Sequence, residues 1–188
     1  LFLYLALPSP HTPWVPTEEY LGKSGAGMYG DFVMQVDAVV GHVMASLKAA
    51  GMDDNTLVLF SSDNGPVWYE ENTEQFSHAA TGSLRGIKAS AWEGGHRVPF
   101  LARWPARVSG GVVTNHTVAF CDVFATFAAL AGQESIPEGV ARDSVSFAGL
   151  LLEPEGKLPA RRPILHDSKT IRAGEWKLCL LYTSPSPR

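Results

Sequence analysis

A long amphipathic stretch between two short apolar runs is the feature that most constrains the fold of this chain. Across residues 28–50 the apolar side chains recur at three- and four-residue spacing, which predicts a helix that ends before Gly51. The flanking runs, residues 1–7 and 56–61, are continuous and apolar, as is typical of strands buried on both faces of a parallel sheet. The pattern predicts a strand-helix-strand unit within an α/β fold, with a mostly parallel sheet flanked by helices.

Polar side chains follow both predicted strands. His11 comes shortly after the first run, and Asp63 and Asn64 come directly after the second. A helical crossover brings the carboxyl ends of two parallel strands to the same edge of the sheet, where α/β folds bind ligands. Carboxylate and carboxamide oxygens suit a hard divalent cation. We therefore expect His11 to converge with Asp63 and Asn64, and this pair to ligate a metal.

The second half of the chain adds a loop and a glycine-rich segment. Residues 67–83 show no apolar period and predict a long loop that would shape substrate access. Residues 84–100 combine cations, including Lys88, with glycines that permit close backbone approach to an anion. Three other polar side chains of this segment are expected to hold it to its neighbours rather than to touch substrate: Glu93, His96 and Arg97. Strands at 100–104 and 176–180 and a helix at 122–131 are also predicted.

Composition and charge exclude several classes of function. The 188 residues carry a formal net charge of −4 without basic runs, so there is no electrostatic footprint for nucleic acid. The apolar run at residues 1–7 is too short to span a bilayer, and no membrane span is expected. The two cysteines, Cys121 and Cys179, form neither a disulfide framework nor a CxxC metal site, although a single bridge between them stays open. A small-molecule partner is favoured, and the sequence makes no prediction of oligomeric state.

Four motifs occur in a fixed order along the chain. They are Pro10-His11-Thr12-Pro13, Ser62-Asp63-Asn64-Gly65, Arg85-Gly86-Ile87-Lys88 and Trp92-Glu93-Gly94-Gly95-His96-Arg97-Val98-Pro99. Together they resemble the type I sulfatases, the arylsulfatase family, in order and spacing over roughly residues 1–178. The resemblance implies an alkaline-phosphatase-like α/β fold, truncated here at the N-terminus.

The resemblance also implies an activity and a role for each motif residue. The family consists of metal-dependent sulfuric ester hydrolases, which cleave a sulfate ester to an alcohol or phenol and sulfate. By the match, Asp63 and Asn64 ligate the metal, Ca²⁺ in preference to Mg²⁺, and Lys88 contacts the sulfate. His11 binds the ester and helps to protonate the leaving group. A small-molecule or saccharide sulfate ester is the implied substrate, and a periplasmic, secreted or lysosomal location is implied.

The nucleophile of the family is missing from this sequence. In the family it is a formylglycine made from the first residue of a Cys/Ser-x-Pro-x-Arg motif. Neither Cys121, followed by Asp-Val-Phe-Ala, nor Cys179, followed by Leu-Leu-Tyr-Thr, has the required proline and arginine. We therefore expect the formylglycine to lie upstream and this chain to be a C-terminal portion that is inactive alone.

The domain organisation follows from the same resemblance. Residues 1–160 are expected to form the C-terminal part of the catalytic α/β domain, 161–181 the start of a small C-terminal subdomain with strands, and 182–188 a disordered or non-native tail. Two other functions stay open from the sequence: a phosphonate or phosphate ester hydrolase of the same superfamily, and a non-catalytic pseudoenzyme that binds anions.

Overall fold

The computed structural model describes residues 1–133, 135–153, 159, 161–167 and 169–180. The chain divides into two compact units. The first consists of Leu1–Asp54 and Pro66–Ser83, and the second of Asn55–Gly65 and Leu84–Arg188. The predicted tail at 182–188 lies outside the described residues.

The predicted long helix is confirmed in the first unit as α1, Gly27–Ala49. It ends as the sequence indicates, because Gly51 adopts a positive φ of 66° and donates its N–H to the Lys48 carbonyl at 3.0 Å. The Met52 N–H bonds the Leu47 carbonyl at 2.9 Å, which completes a Schellman motif. In the described part of the chain, no helix combines the length and apolar character needed to cross a membrane.

A second helix lies where the sequence predicted a long loop. Residues Glu70–Phe76 form α2, so the loop prediction for 67–83 is wrong over this stretch. Helix α2 buries none of its residues, and it therefore has no apolar stripe from which a period could be detected. The indole N–H of Trp68 donates to the Thr73 hydroxyl, within α2, at 3.0 Å and to the His78 carbonyl, just after α2, at 2.8 Å. These two hydrogen bonds hold the helix and the residues that follow it against Trp68.

Trp68 is also the centre of the aromatic core of the first unit. Its side chain is only 5% exposed. Its ring lies 5.2 Å from that of Tyr29 on α1 and 5.9 Å from that of Phe76 on α2, measured between centroids. The Trp14 ring packs on Tyr29 at 5.5 Å. These contacts join α1, α2 and the segment after His11 into one packed unit.

The predicted strand at residues 1–7 does not form. These residues have no regular secondary structure, and Leu1 and Tyr4 are 97% and 82% exposed. A strand needs a neighbour to pair its backbone groups, and none of the described residues pairs with this segment as a strand. The predicted parallel strand-helix-strand unit is therefore absent from the described residues.

The described residues of the second unit form two antiparallel sheets. Strand β1, Val58–Ser61, pairs with β2, Phe100–Arg103, in a register that sets Ser61 opposite Phe100. Strands β3, Ile164–Asp167, β4, Thr170–Ala173, and β5, Trp176–Cys179, form a three-stranded sheet in that order. Helices and strands together agree with the predicted α/β class, but the described strand pairs are antiparallel and not parallel.

The part of the second unit that the structure describes also contains three helices: α3, Glu93–His96, α4, Asp122–Leu130, and α5, Ala148–Leu152. The predicted helix at 122–131 is confirmed as α4. Its Thr126 is fully buried and accepts the Phe147 N–H at 2.9 Å, while the Phe147 ring meets Phe100 of β2 edge-on at 5.6 Å. Asp122, 1% exposed, pairs with Arg161 at 2.6 Å. This core holds β2, and through it β1, against α4 and α5.

Candidate functional site

The turn that follows β1 presents the two predicted metal ligands. Asp63 is exposed and Asn64 half-buried. The Ser62 hydroxyl donates to the Asn64 carbonyl at 3.1 Å, and the Asn64 side-chain amide donates to the Gly65 carbonyl at 3.0 Å. Because the amide nitrogen of Asn64 bonds the backbone, its Oδ1 is the atom available to a cation. The turn therefore offers one carboxylate and one amide oxygen, the hard donors that Ca²⁺ and Mg²⁺ take.

Three glycines fix this turn against the rest of the second unit. A Cβ on Gly65 would lie 1.7 Å from the carbonyl oxygen of Gly94, and a Cβ on Gly94 would lie 2.0 Å from that of Gly86. Two backbone hydrogen bonds connect the same segments, from the Gly65 N–H to Gly95 at 3.0 Å and from the Gly94 N–H to Arg85 at 2.8 Å. Only residues without a side chain permit this approach. We call Gly65, Gly86 and Gly94 the glycine cluster.

The glycine cluster ties the Asp63-Asn64 turn to the loop that carries Lys88. Lys88 is half-buried in this loop. The loop turns sharply, since Ala89 has a φ of 65° and the Ser90 N–H bonds the Ile87 carbonyl at 3.0 Å. At the start of this segment, the Arg85 guanidinium stacks 3.8 Å above the Trp92 ring centroid. The backbone of α3 therefore contacts both the segment that ends the Asp63-Asn64 turn and the segment that leads into the Lys88 loop.

His11 lies in the first unit, in a proline-rich turn with cis peptide bonds at Ser9-Pro10 and Thr12-Pro13. Its side chain is exposed, and its Nδ1 lies 2.7 Å from the Thr12 carbonyl oxygen. A carbonyl oxygen only accepts, so Nδ1 carries the proton of this hydrogen bond. The expected convergence of His11 with Asp63 and Asn64 stays a prediction.

The donor set for a metal is incomplete within the described residues. They contain no group of three or more His, Cys, Asp or Glu side chains that could hold a metal ion. Asp63 and Asn64 supply two side-chain oxygens, whereas Ca²⁺ takes six to eight ligands. The type of donor fits a hard cation, while the number calls for further ligands.

The C-terminal sheet contributes charged residues that sequence analysis missed. The Glu93 carboxylate at the start of α3 accepts hydrogen bonds from Arg172 at 2.5 Å and from Lys177 at 2.9 Å. The expectation that Glu93 holds its segment to neighbours is confirmed, but its partners were not predicted. Arg172 and Lys177 flank a turn at Gly174, and the hairpin register sets the two cations opposite each other, but nothing in the sequence indicates that Glu93 lies between them.

Two stacked histidines join α3 to the same sheet. The rings of His96 and His166 lie 4.6 Å apart, and the Nε2 atoms of both are buried without a hydrogen-bond partner in the described structure. Burial, with the charges of His96 and Lys177 nearby, lowers the pKa of His166 to about 4. Burial, with Lys177, also lowers the pKa of His96. Both rings are therefore neutral at neutral pH.

The charges around Glu93 favour the ionised form of its carboxyl group. Partial burial raises the pKa of Glu93, but the hydrogen bonds and charges of Lys177 and Arg172 outweigh it and hold that pKa below its ordinary value. Glu93 is therefore an anion between two cations, which is the arrangement that favours the charged form.

Comparison with known proteins gives consistent matches. A family model described as Sulfatase matches residues 1–133. An N-acetylgalactosamine-6-O-sulfatase of Bacteroides thetaiotaomicron is 37% identical over 194 residues, covering 98% of this chain and 36% of that protein. Arylsulfatase A of Bos taurus is 39% identical over 185 residues, covering 94% of this chain and 35% of that protein. This chain thus spans about a third of the length of these relatives.

Two solved structures are similar over most of the chain. One is a protein from a Bacteroides thetaiotaomicron locus for glycosaminoglycan metabolism, with a TM-score of 0.74 and 36% identity, covering 90% of this chain and 36% of that chain. The other is Ps i-CgsB in complex with k-i-k-neocarrahexaose, with a TM-score of 0.74 and 30% identity, covering 94% of this chain and 40% of that chain.

Proposed function

The chain belongs to the sulfatase family, and from that premise we propose that it forms the metal- and sulfate-binding part of a sulfuric ester hydrolase. The family and the α/β fold class inferred from the motifs are confirmed by the matches. The observation that supports the proposal most is the glycine cluster, which holds the Asp63-Asn64 turn and the Lys88 loop against the same short helix, α3. The Asp63-Asn64 turn, with its oxygen donors, and the loop that carries the Lys88 cation are thus both held by α3.

Asp63 and Asn64 are the residues proposed to hold a divalent cation, with Ca²⁺ preferred to Mg²⁺. The carboxylate of Asp63 and the Oδ1 of Asn64 match the oxygen ligands of both ions. The choice of Ca²⁺ comes from the family and not from the spacing of these residues. A cation held here would neutralise charge on the sulfate oxygens and polarise the sulfur-oxygen bond.

Lys88 and His11 are proposed to act on the substrate directly. The ammonium group of Lys88 would contact a sulfate oxygen and stabilise the negative charge that grows there as the ester bond breaks. His11, with Nδ1–H held by the Thr12 carbonyl, would bind the ester and donate a proton from Nε2 to the departing alkoxide or phenoxide. For this step the imidazole must be protonated before the bond breaks.

The nucleophile is proposed to come from another part of the complete protein. This sequence contains no Cys/Ser-x-Pro-x-Arg motif, and its residues supply no covalent step. We propose that the 188-residue chain alone does not turn over a sulfate ester. Residues 1–160 would contribute to the catalytic domain and 161–181 would begin a small C-terminal subdomain.

A saccharide sulfate ester is the proposed class of substrate. One relative is named for N-acetylgalactosamine-6-O-sulfate, and one similar structure holds a neocarrahexaose. A location outside the cytoplasm, periplasmic, secreted or lysosomal, belongs to the same proposal.

The proposal is tested with the protein encoded by the complete open reading frame that includes this chain. Matched aryl sulfate, phosphate and phosphonate esters are assayed with calcium present. Hydrolysis of the sulfate ester with at least a hundredfold higher kcat/KM than the other two is the expected result. A preference for the phosphate or phosphonate ester, or no hydrolysis of any of them, would overturn it.

A further inference from the structure

The carboxylate of Glu93 connects helix α3 to two strands of the C-terminal sheet. Arg172 of β4 and Lys177 of β5 are opposed in register and both donate to the same oxygen, Oε1 of Glu93. Like charges that face each other across a strand pair are destabilising, and a shared carboxylate between them offsets that repulsion. We call these three residues the Glu93 cluster.

The Glu93 cluster is partly withdrawn from water. The side chains of Arg172 and Lys177 are 17% and 11% exposed, and that of Glu93 is 32% exposed. An ion pair at a fully exposed surface contributes little, but one with two short bonds and restricted solvent access fixes geometry more strongly. The cluster is therefore suited to hold α3 at a fixed position on the sheet.

Helix α3 contacts the candidate site through the two residues that follow Glu93. Gly94 and Gly95 directly follow Glu93, and both are buried. Gly95 accepts the Gly65 N–H, and Gly94 donates to Arg85. With so little space between these backbones, a shift of α3 must displace the turn that ends at Gly65 or the loop that begins at Arg85.

We propose that Glu93 is a positioning residue, which through Gly94 and Gly95 sets the Asp63-Asn64 turn and the Lys88 loop in their binding geometry. This inference rests on the proposed function for the role of that geometry. Glu93 itself touches neither cation nor substrate in it. The C-terminal sheet, through Arg172 and Lys177, thereby becomes part of the support of the site.

Amide hydrogen exchange on the 188-residue chain tests the coupling without an activity assay. In Glu93→Gln, the amides of Gly65 and Gly94 are expected to exchange about tenfold faster than in the wild type, because the hydrogen bonds that protect them open more often. The Phe147 amide, bonded to Thr126 in the same unit, is expected to keep its rate. Glu175→Gln, which removes an exposed carboxylate from the β4–β5 turn, is the matched control and should change neither glycine.

Two results overturn the proposal. One is an unchanged exchange rate at Gly65 and Gly94 in Glu93→Gln. The other is an equal rise at Gly65, Gly94 and Phe147, which indicates a loss of global stability and no specific positioning. If Glu93→Gln does not fold, Lys177→Met, which leaves Arg172 on Glu93, replaces it in the same comparison, and the absence of a selective rise there also overturns the proposal.

A second arm uses the complete protein and separates this inference from the proposed function. Glu93→Gln is expected to raise the calcium concentration for half-maximal aryl sulfate hydrolysis about tenfold, whereas Lys177→Arg, which keeps the ion pair, leaves it within about twofold. An unchanged calcium requirement in Glu93→Gln contradicts the positioning role. A wild type without sulfatase activity contradicts the proposed function instead, and the exchange experiment still decides the role of Glu93.

Discussion

Gly65 and Gly94 approach so closely that a Cβ on Gly65 would stand 1.7 Å from the Gly94 carbonyl oxygen. The neighbouring atom is backbone, which cannot rotate aside as a side chain could. This contact places the end of the Asp63-Asn64 turn directly on the helix that begins with Glu93.

Replacing Gly65 by alanine should disturb both the fold and the turn. We expect Gly65→Ala to lower the free energy of unfolding by about 1–3 kcal/mol, the usual cost of forcing an extra carbon into a packed site. Urea denaturation measures it. Gly149→Ala is the control, since nothing lies within 4 Å of a Cβ there and the residue is in α5; it should be neutral or stabilising by up to about 1 kcal/mol. Equal effects of the two substitutions would show that the close contact is unimportant.

Acid should destabilise the second unit through His166. Its pKa is about 4 in the folded protein and about 6.5 when unfolded, so the unfolded state binds more protons between these values. Stability is therefore complete above about pH 6.5 and falls as the pH decreases towards about 4. The loss is expected to be about 1 kcal/mol, because partial exposure of the ring screens much of the effect. Thermal unfolding across this pH range measures it.

The variant His166→Phe isolates that pH dependence. It keeps a ring against His96 and removes one titrating group, so stability should fall less between about pH 6.5 and about 4 than in the wild type. His42→Gln, at an exposed position on α1, should leave the wild-type profile unchanged. A His166→Phe profile as steep as that of the wild type would assign the acid sensitivity to other groups.

Removing Arg161 should destabilise the α4 region strongly. Arg161→Met leaves Asp122, which is 1% exposed, without its cationic partner, although the Ala119 and Val145 amides still donate to it. An unpaired buried carboxylate typically costs about 3–5 kcal/mol, and the two amide bonds should reduce this to about 2–4 kcal/mol. Urea denaturation tests it. A loss below about 1 kcal/mol would mean that the amides alone satisfy Asp122.

Calcium binding by the 188-residue chain should be weak but dependent on Asp63. Two side-chain oxygens fall well short of a full calcium shell, so a dissociation constant in the millimolar range or weaker is expected. Titration calorimetry should show the remaining heat disappear in Asp63→Ala and persist in Asp54→Ala, an exposed aspartate in the turn before β1. Micromolar binding, or binding that survives Asp63→Ala, would contradict the assignment.

The fold was predictable where local pattern and burial agree. Helix α1 and its end at Gly51 could be predicted because the helix buries one face and because Gly51 adopts the positive φ that favours glycine. The prediction of a strand at residues 1–7 was wrong for the opposite reason. An apolar run forms a strand only when a neighbouring strand pairs with its backbone N–H and C=O groups. Helix α2 was missed because its stability comes from Trp68 and not from an apolar stripe.

The sequence indicated which residues belong to the candidate site, but not which residues hold them in position. Asp63, Asn64 and Lys88 were identified from motifs, and their roles stay predictions. The Glu93 cluster depends on the register of a hairpin about eighty residues away in the chain. No local pattern around Glu93 could indicate Arg172 or Lys177 as its partners, because long-range pairing is decided by the folded sheet.

The most direct test of the central claim is kcat/KM for an aryl sulfate, measured on the complete protein with calcium present, for wild type, Lys88→Met and Lys169→Met. Lys169 lies exposed in the β3–β4 turn and is the matched control. We expect Lys88→Met to lower kcat/KM by at least about a hundredfold, as is typical of a cation that stabilises the transition state, while Lys169→Met stays within about twofold of the wild type. Equal activity of Lys88→Met and wild type would contradict it.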